Sequence, residues 1–152
     1  GIQKFNKIGI NNLILDLKLN DIPQTVYKAI KALDDIKFGF LTIHAQGGKA
    51  MIEKAKEAAN KIKSQPKILM VTVLTSLNDN DLKIMGNDSS VTKQVEHFAK
   101  IAKEMGVGIV CSGHEAKIEP NQWCEKRCRK NQFYHNVIRR IVLRKNLYRC
   151  YL

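Results

Sequence analysis

The chain has 152 residues, a formal net charge of +12 and 44% hydrophobic residues, which suits one domain with a core that buries roughly two thirds of the unfolded surface. Its apolar runs, 68–74 among the longest, fall well short of the ~20 residues of a membrane span, and Gly1-Ile2-Gln3-Lys4 carries no signal-peptide pattern. The expectation is a soluble, cytoplasmic protein without a disulfide framework or metal site, because Cys111, Cys124, Cys128 and Cys150 lack paired spacing, and Cys124, Cys128, His135 and Cys150 are too irregular for a zinc ligand set.

In chain order, short β-branched apolar runs alternate with longer stretches of helical period, the pattern of a parallel βα protein. Strands are predicted over 13–18, Phe40–His44, 67–74 and 107–111, near-continuous in apolar content as strands covered on both faces should be. Between them a helix is predicted over 23–36, with Pro23 in its first turn and Val26, Ile30, Leu33 and Ile36 on one stripe. A second, over 49–63, puts Met51, Ile52, Ala55, Ala59 and Ile62 inward. A third runs over Val91–Met105 with Val91, Val95, Phe98, Ala102 and Met105 inward, and Gly106 stops it.

Asp16 and His44 are 28 residues apart, as are His44 and Thr72. That regularity favours a βα-repeat barrel over an irregular sheet. The fold class expected is therefore α/β, a partial (β/α)8 barrel of about four βα units within residues 1–118, half of the closed form.

Residues 119–152 differ in kind. The first 118 residues hold 17 Lys, no Arg and 12 acidic residues, whereas the tail holds 3 Lys, 6 Arg, Glu119 and Glu125. From Glu119 onward there is no Gly, Ala, Asp, Ser, Thr or Met. A change of coding frame near Ile118 and a separately evolved basic appendage both account for this composition. Without Gly or Asp for turns, and with isolated apolar clusters between arginines, the tail is expected to fit no seventh or eighth strand of a barrel.

The stretch Asp16-Leu17-Lys18-Leu19-Asn20-Asp21 carries the chemistry. Strand alternation places Asp16 and Lys18 on one face, and Asp21 just past the strand end. The bland alternative is a solvated lysine, a surface carboxylate and an aspartate favouring the next helix dipole. Against it, an Asp and a Lys inside a strand otherwise made of Leu and Ile are costly unless they pair or act. His44, on an inward strand position beside Gly47 and Gly48, reads first as a satisfied structural histidine.

Asp16-Leu17-Lys18, then Asp21-Ile22-Pro23 and Thr25-Val26, resembles the D-x-K-x-x-D-I-P-x-T-V signature of the orotidine 5'-monophosphate decarboxylases. Thr42-Ile43-His44-Ala45-Gln46-Gly47-Gly48, Val71-Thr72-Val73-Leu74-Thr75-Ser76 and Val110-Cys111-Ser112 follow in the family's order, so the likeness runs from about Ile10 to Ile118. The wider group with 3-hexulose-6-phosphate synthase shares the D-x-K-x-x-D core, but Ile22-Pro23-Gln24-Thr25 and Leu74-Thr75-Ser76 resemble the orotidylate branch. Gln24 stands where Asn is usual, and Gly106-Val107-Gly108 is one residue shorter than the family's pattern.

The resemblance implies a metal-free, cofactor-free decarboxylation of orotidine 5'-monophosphate to UMP and carbon dioxide. By carry-over, Asp16 lies against the departing carboxylate and Lys18 supplies electrostatic stabilisation and the proton. Asp21 reaches into the site of a homodimer partner, Thr25 touches the ribose from the same neighbour, Ile22 belongs to the same substrate-binding segment, and Thr75 hydrogen-bonds the pyrimidine. The family's ribose-binding Asp and second Lys come from two earlier strands, for which Lys4 and Lys7 are no replacement. Its phosphate-gripping Gln and Arg come from the last two strands, which the tail does not resemble. The expectation is a chain inactive or weakly active by itself. The alternative is a non-catalytic protein whose tail, with Trp123, Phe133, Tyr134, Tyr148 and Tyr151 among the arginines, binds nucleic acid.

Overall fold

A computed structural model of the chain describes residues 13–110 and the backbone of Arg149–Cys150. The first strand, β1, spans Ile14–Leu19, and Ile22 and Pro23 lead into helix α1, Pro23–Lys31. The apolar stripe predicts a helix to residue 36, but the helix ends at Lys31. Beyond it the chain tightens into turns, with Leu33 N donating to Ile30 O at 3.0 Å and Ile36 N to Leu33 O at 3.0 Å. These turns hold Leu33 and Ile36 against the core, so the stripe is satisfied without the helix.

Strand β2, Phe40–His44, runs into a 3-10 turn at Ala45–Gly47 and then helix α2, Gly48–Asn60. The Met51, Ile52, Ala55, Ala59 stripe is buried as its period requires. Strand β3 is Lys67–Val71, shorter than the predicted 67–74. Its pairing with β2 runs from Phe40↔Lys67 to His44↔Val71, so β2 offers no ladder partner beyond Val71, although Val73 remains buried.

A short helix that hydrophobic period does not announce, α3, spans Asp79–Ile84. Asn78 Oδ1 accepts from the N–H groups of Asn80 (2.9 Å) and Asp81 (3.1 Å), and Asp81 Oδ2 accepts from Asn78 N at 2.9 Å. This reciprocal capping starts a helix in a segment with little apolar content. Helix α4, Val91–Met105, begins at Ser90, whose hydroxyl accepts from Lys93 N. It ends at Gly106, with φ 64°, a left-handed position that glycine adopts without a Cβ clash. Strand β4 follows at Gly108–Val110.

All pairings in the sheet are parallel and its order is β4-β3-β2-β1-β5, where β5 is Arg149–Cys150. Arg149 and Cys150 pair with Ile14 and Leu15, on the other side of β1 from β2. Residues 111–148 lie outside the described residues.

One face of the sheet, through Leu15, Leu41, Ile43, Ile68 and Met70, packs with Val26, Ile30, Met51, Ile52, Ala55 and Phe98 of the helices in a single apolar cluster. By alternation the opposite face presents Ile14, Asp16, Thr42, His44, Leu69 and Val71. These four strands in sequential order, the first three each followed by helix, are a partial barrel, and the second face is the barrel-interior side. Among the described residues no helix is long and apolar enough to cross a membrane.

Candidate active site

The C-terminal ends of the parallel strands gather the charged residues of the second face, where a βα barrel places its chemistry. The β1 ladder is interrupted there. Ile14 and Leu15 face Phe40 and Leu41, but the next pairing is Leu19 with Ile43, so β1 takes four residue steps where β2 takes two. Lys18, inside this bulge, has φ 49°, a left-handed conformation that strains a residue with a Cβ. Strained backbone of this kind persists only where surrounding contacts over-determine it.

Those contacts are specific. Lys18 Nζ lies 2.8 Å from Asp16 Oδ2. Thr42 Oγ1 donates to Asp16 Oδ1 at 2.9 Å and accepts from Lys18 N at 2.9 Å. The Asp16 side chain is 4% exposed and that of Lys18 33%, so the carboxylate is buried while the lysine side chain is partly exposed. Simple alternation predicts the Asp16 and Lys18 contact for an incomplete reason: the two meet across an irregular, bulged strand, with Leu17 and Leu19 packed on the core.

His44 closes β2 beside this pair, half-buried. Burial chiefly, and then the Lys18 ammonium, hold its imidazole below the usual 6.5, while the Asp16 carboxylate pulls the other way. The 3-10 turn after it brings Gly47 close to the β1–α1 loop. A Cβ at Gly47 would run into the Met51 side chain and approach Asn20 Oδ1 to 3.2 Å, so glycine permits this close packing of two loops.

The other expected site residues lie in loops at the same end. Asp21 is exposed and its Oδ1 accepts from Ile22 N at 2.7 Å. Ile22 is 67% exposed, an unusual setting for a large apolar side chain beside a charged site. Thr25, in the first turn of α1, and Thr75, in the loop after β3, are also exposed. Asp16 and Lys18 are thus in direct contact, while Asp21 engages its own neighbour's backbone. The sequence motifs assign no role to Thr42. Its signal lies in strand alternation, which puts it on the face of His44 and one strand from Asp16. Cys111, Ser112 and the tail residues Trp123, Phe133, Tyr134, Tyr148 and Tyr151 lie outside the described residues, as do Lys4, Lys7, Cys124, Cys128 and His135.

Comparisons with known proteins bear on the family and the fold. The profile of the family described as Orotidine 5'-phosphate decarboxylase / HUMPS matches residues 2–131, reaching beyond Ile118. The orotidine 5'-phosphate decarboxylase of Sphingopyxis alaskensis is 45% identical over 124 residues, 81% of this chain and 54% of the relative. That of Novosphingobium aromaticivorans is 42% identical over 135 residues, 88% of this chain and 56% of the relative. Among solved structures, orotidine 5'-phosphate decarboxylase of Lactobacillus acidophilus superposes with a TM-score of 0.69 at 39% identity, covering 79% of this chain and 56% of that one. An uncharacterized conserved protein of Geobacillus kaustophilus gives 0.70 at 33% identity, covering 78% and 58%. The chain spans about half the length of the curated relatives it matches. It belongs to the orotidine 5'-phosphate decarboxylase / HUMPS family, a family of α/β barrels whose named relatives here are decarboxylases.

Proposed function

We propose that this chain carries the Asp16–Lys18 part of an orotidine 5'-monophosphate decarboxylase site. The observation that carries the reading is the 2.8 Å ion pair between Lys18 Nζ and Asp16 Oδ2 at the C-terminal end of a parallel strand, with the carboxylate buried and the lysine side chain partly exposed. In the reaction the bond from pyrimidine C6 to its carboxylate breaks, the electron pair stays on C6, carbon dioxide leaves, and a proton from Lys18 Nζ is delivered to C6. Lys18 then regains a proton from solvent. A fixed ammonium suits this task because its charge is in place before the carbanion develops, without reorganisation at the moment of reaction. Asp16, buried against the leaving carboxylate, favours loss of that negative charge from its side.

Asp21 and Ile22, in the loop after β1, and Thr25, in the first turn of α1, are exposed, and in this reading they complete the site of a homodimer partner, with Thr75 meeting the pyrimidine. The residues that grip phosphate in the family are not among those matched by motif, and remote binding energy is what such an enzyme draws on to reach its transition state. The 152-residue chain alone is therefore expected to turn over orotidine 5'-monophosphate far more slowly than a complete relative.

The test sets the described segment in a full-length relative. Residues 13–110 are placed in the full-length Lactobacillus acidophilus relative in exchange for its matching segment, and loss of substrate absorbance is followed. Turnover that disappears in Lys18→Ala supports the proposal. A chimera that folds and dimerises but is inactive, or whose activity survives Lys18→Ala, refutes it.

A further inference from the structure

We propose that Thr42 is the positioning residue of this charged site, fixing both the Asp16 carboxylate and the backbone of Lys18 through one hydroxyl; the catalytic part of the inference rests on the function proposed above. A threonine hydroxyl has a single proton. Because Thr42 Oγ1 accepts from Lys18 N at 2.9 Å, that proton is directed away from the amide and toward Asp16 Oδ1, also at 2.9 Å. One oxygen of the carboxylate is thereby set, its rotation is fixed, and Oδ2 faces the Lys18 ammonium. The side chain is 3% exposed, so water does not stand in for the hydroxyl.

The same hydroxyl answers a backbone problem. The bulge takes the residues between Leu15 and Leu19 out of the β2 ladder, and the Lys18 N–H, in a left-handed residue, finds the Thr42 side chain where a regular strand would find a carbonyl. Thr42 sits in the middle of β2, paired with Leu69 of β3, so its Cα is held by ladders that do not depend on the bulge. A rigid strand therefore carries the group that orients a strained one, which is how a supporting residue holds a reacting group in place.

The experiment uses the 152-residue chain and nuclear magnetic resonance. In the wild type the Thr42 hydroxyl proton and the Lys18 amide proton are expected to exchange with solvent slowly enough to be observed. Thr42→Val should accelerate Lys18 amide exchange by roughly tenfold, the factor associated with one buried hydrogen bond, while ladder amides of β2 and β3 keep their protection. Thr42→Ser, which keeps the hydroxyl, should restore both signals. If Thr42→Val leaves Lys18 exchange unchanged, or Thr42→Ser fails to restore it in a chain with intact ladders, the proposal is overturned. If Thr42→Val does not fold, the wild-type hydroxyl decides: an exchange rate equal to that of exposed Thr25 overturns the proposal, and a protected one supports it. No substrate enters these measurements, so failure of the chimera to decarboxylate refutes the assigned function and leaves the positioning role of Thr42 to stand or fall on exchange alone.

Discussion

The Asp16–Lys18 pair lends itself to a double-mutant cycle with Asp16→Asn and Lys18→Met. At 2.8 Å the bare attraction of two unit charges is ~6 kcal/mol for an effective dielectric of ~20 and ~1.5 kcal/mol for that of water. With the lysine side chain 33% exposed and the aspartate 4%, screening acts on one partner and desolvation on the other, which brings the expected coupling to ~1–2 kcal/mol. The single substitutions should be unequal. Lys18→Met strips a buried carboxylate of its ammonium and is expected to cost about 2–3 kcal/mol at neutral pH. Asp16→Asn leaves an ammonium that can turn to water, together with an amide oxygen still able to accept from Thr42, and is expected to cost about 1 kcal/mol. Urea melts of the four chains at pH 7 measure all three quantities. A coupling below ~0.5 kcal/mol, the level of an exposed surface pair, or Asp16→Asn costing more than Lys18→Met, would refute the reasoning that burial of the carboxylate dominates.

Because burial and Lys18 both lower the His44 pKa and Asp16 raises it, Lys18→Met should move the imidazole titration upward and Asp16→Asn downward when followed by proton resonance; shifts of the opposite sign would remove His44 from the site. A folded-state value below 6.5 also means that the unfolded chain takes up the proton first as pH falls. The His44 contribution is therefore intact above 6.5 and is lost as pH drops from there through the folded value, a slope that His44→Gln should abolish in pH-dependent melts. At the left-handed Lys18, Lys18→Gly should be more stable than Lys18→Ala by about 1 kcal/mol, reversing the usual order of these residues in a strand, and thermal melts that find alanine better would show that the bulge relaxes. For the caps, Asn78→Ala is expected to cost ~1 kcal/mol, and Gly106→Ala, at φ 64°, a similar ~1 kcal/mol. Denaturation midpoints unchanged in both would show that these helix ends rearrange without penalty.

The family, the βα order and the buried faces are legible in the residues because each rests on local periodicity or on an ordered set of motifs. The stripes at Met51, Ile52, Ala55 and Ala59 and at Val95, Phe98 and Ala102 are buried as their spacing requires. Asp16 and Lys18 can be paired from strand alternation alone. Helix ends are less legible: the stripe through Leu33 and Ile36 is the same whether the chain is helical or turned, since both conformations return those side chains to the core. Helix α3 escapes a reading by hydrophobic period because its start is fixed by Asn78 and Asp81, a polar capping signal.

What only the tertiary structure decided is how the charged site is held. The bulge in β1, the left-handed backbone at Lys18 and the Thr42 hydroxyl bound to both Asp16 and Lys18 N depend on the register of two strands separated by 24 to 26 residues, and no local propensity encodes that register. Residue types name the charges that meet at a strand end. Their orientation comes from a neighbouring strand, whose Thr42 hydroxyl binds the second oxygen of the Asp16 carboxylate and the strained amide of Lys18.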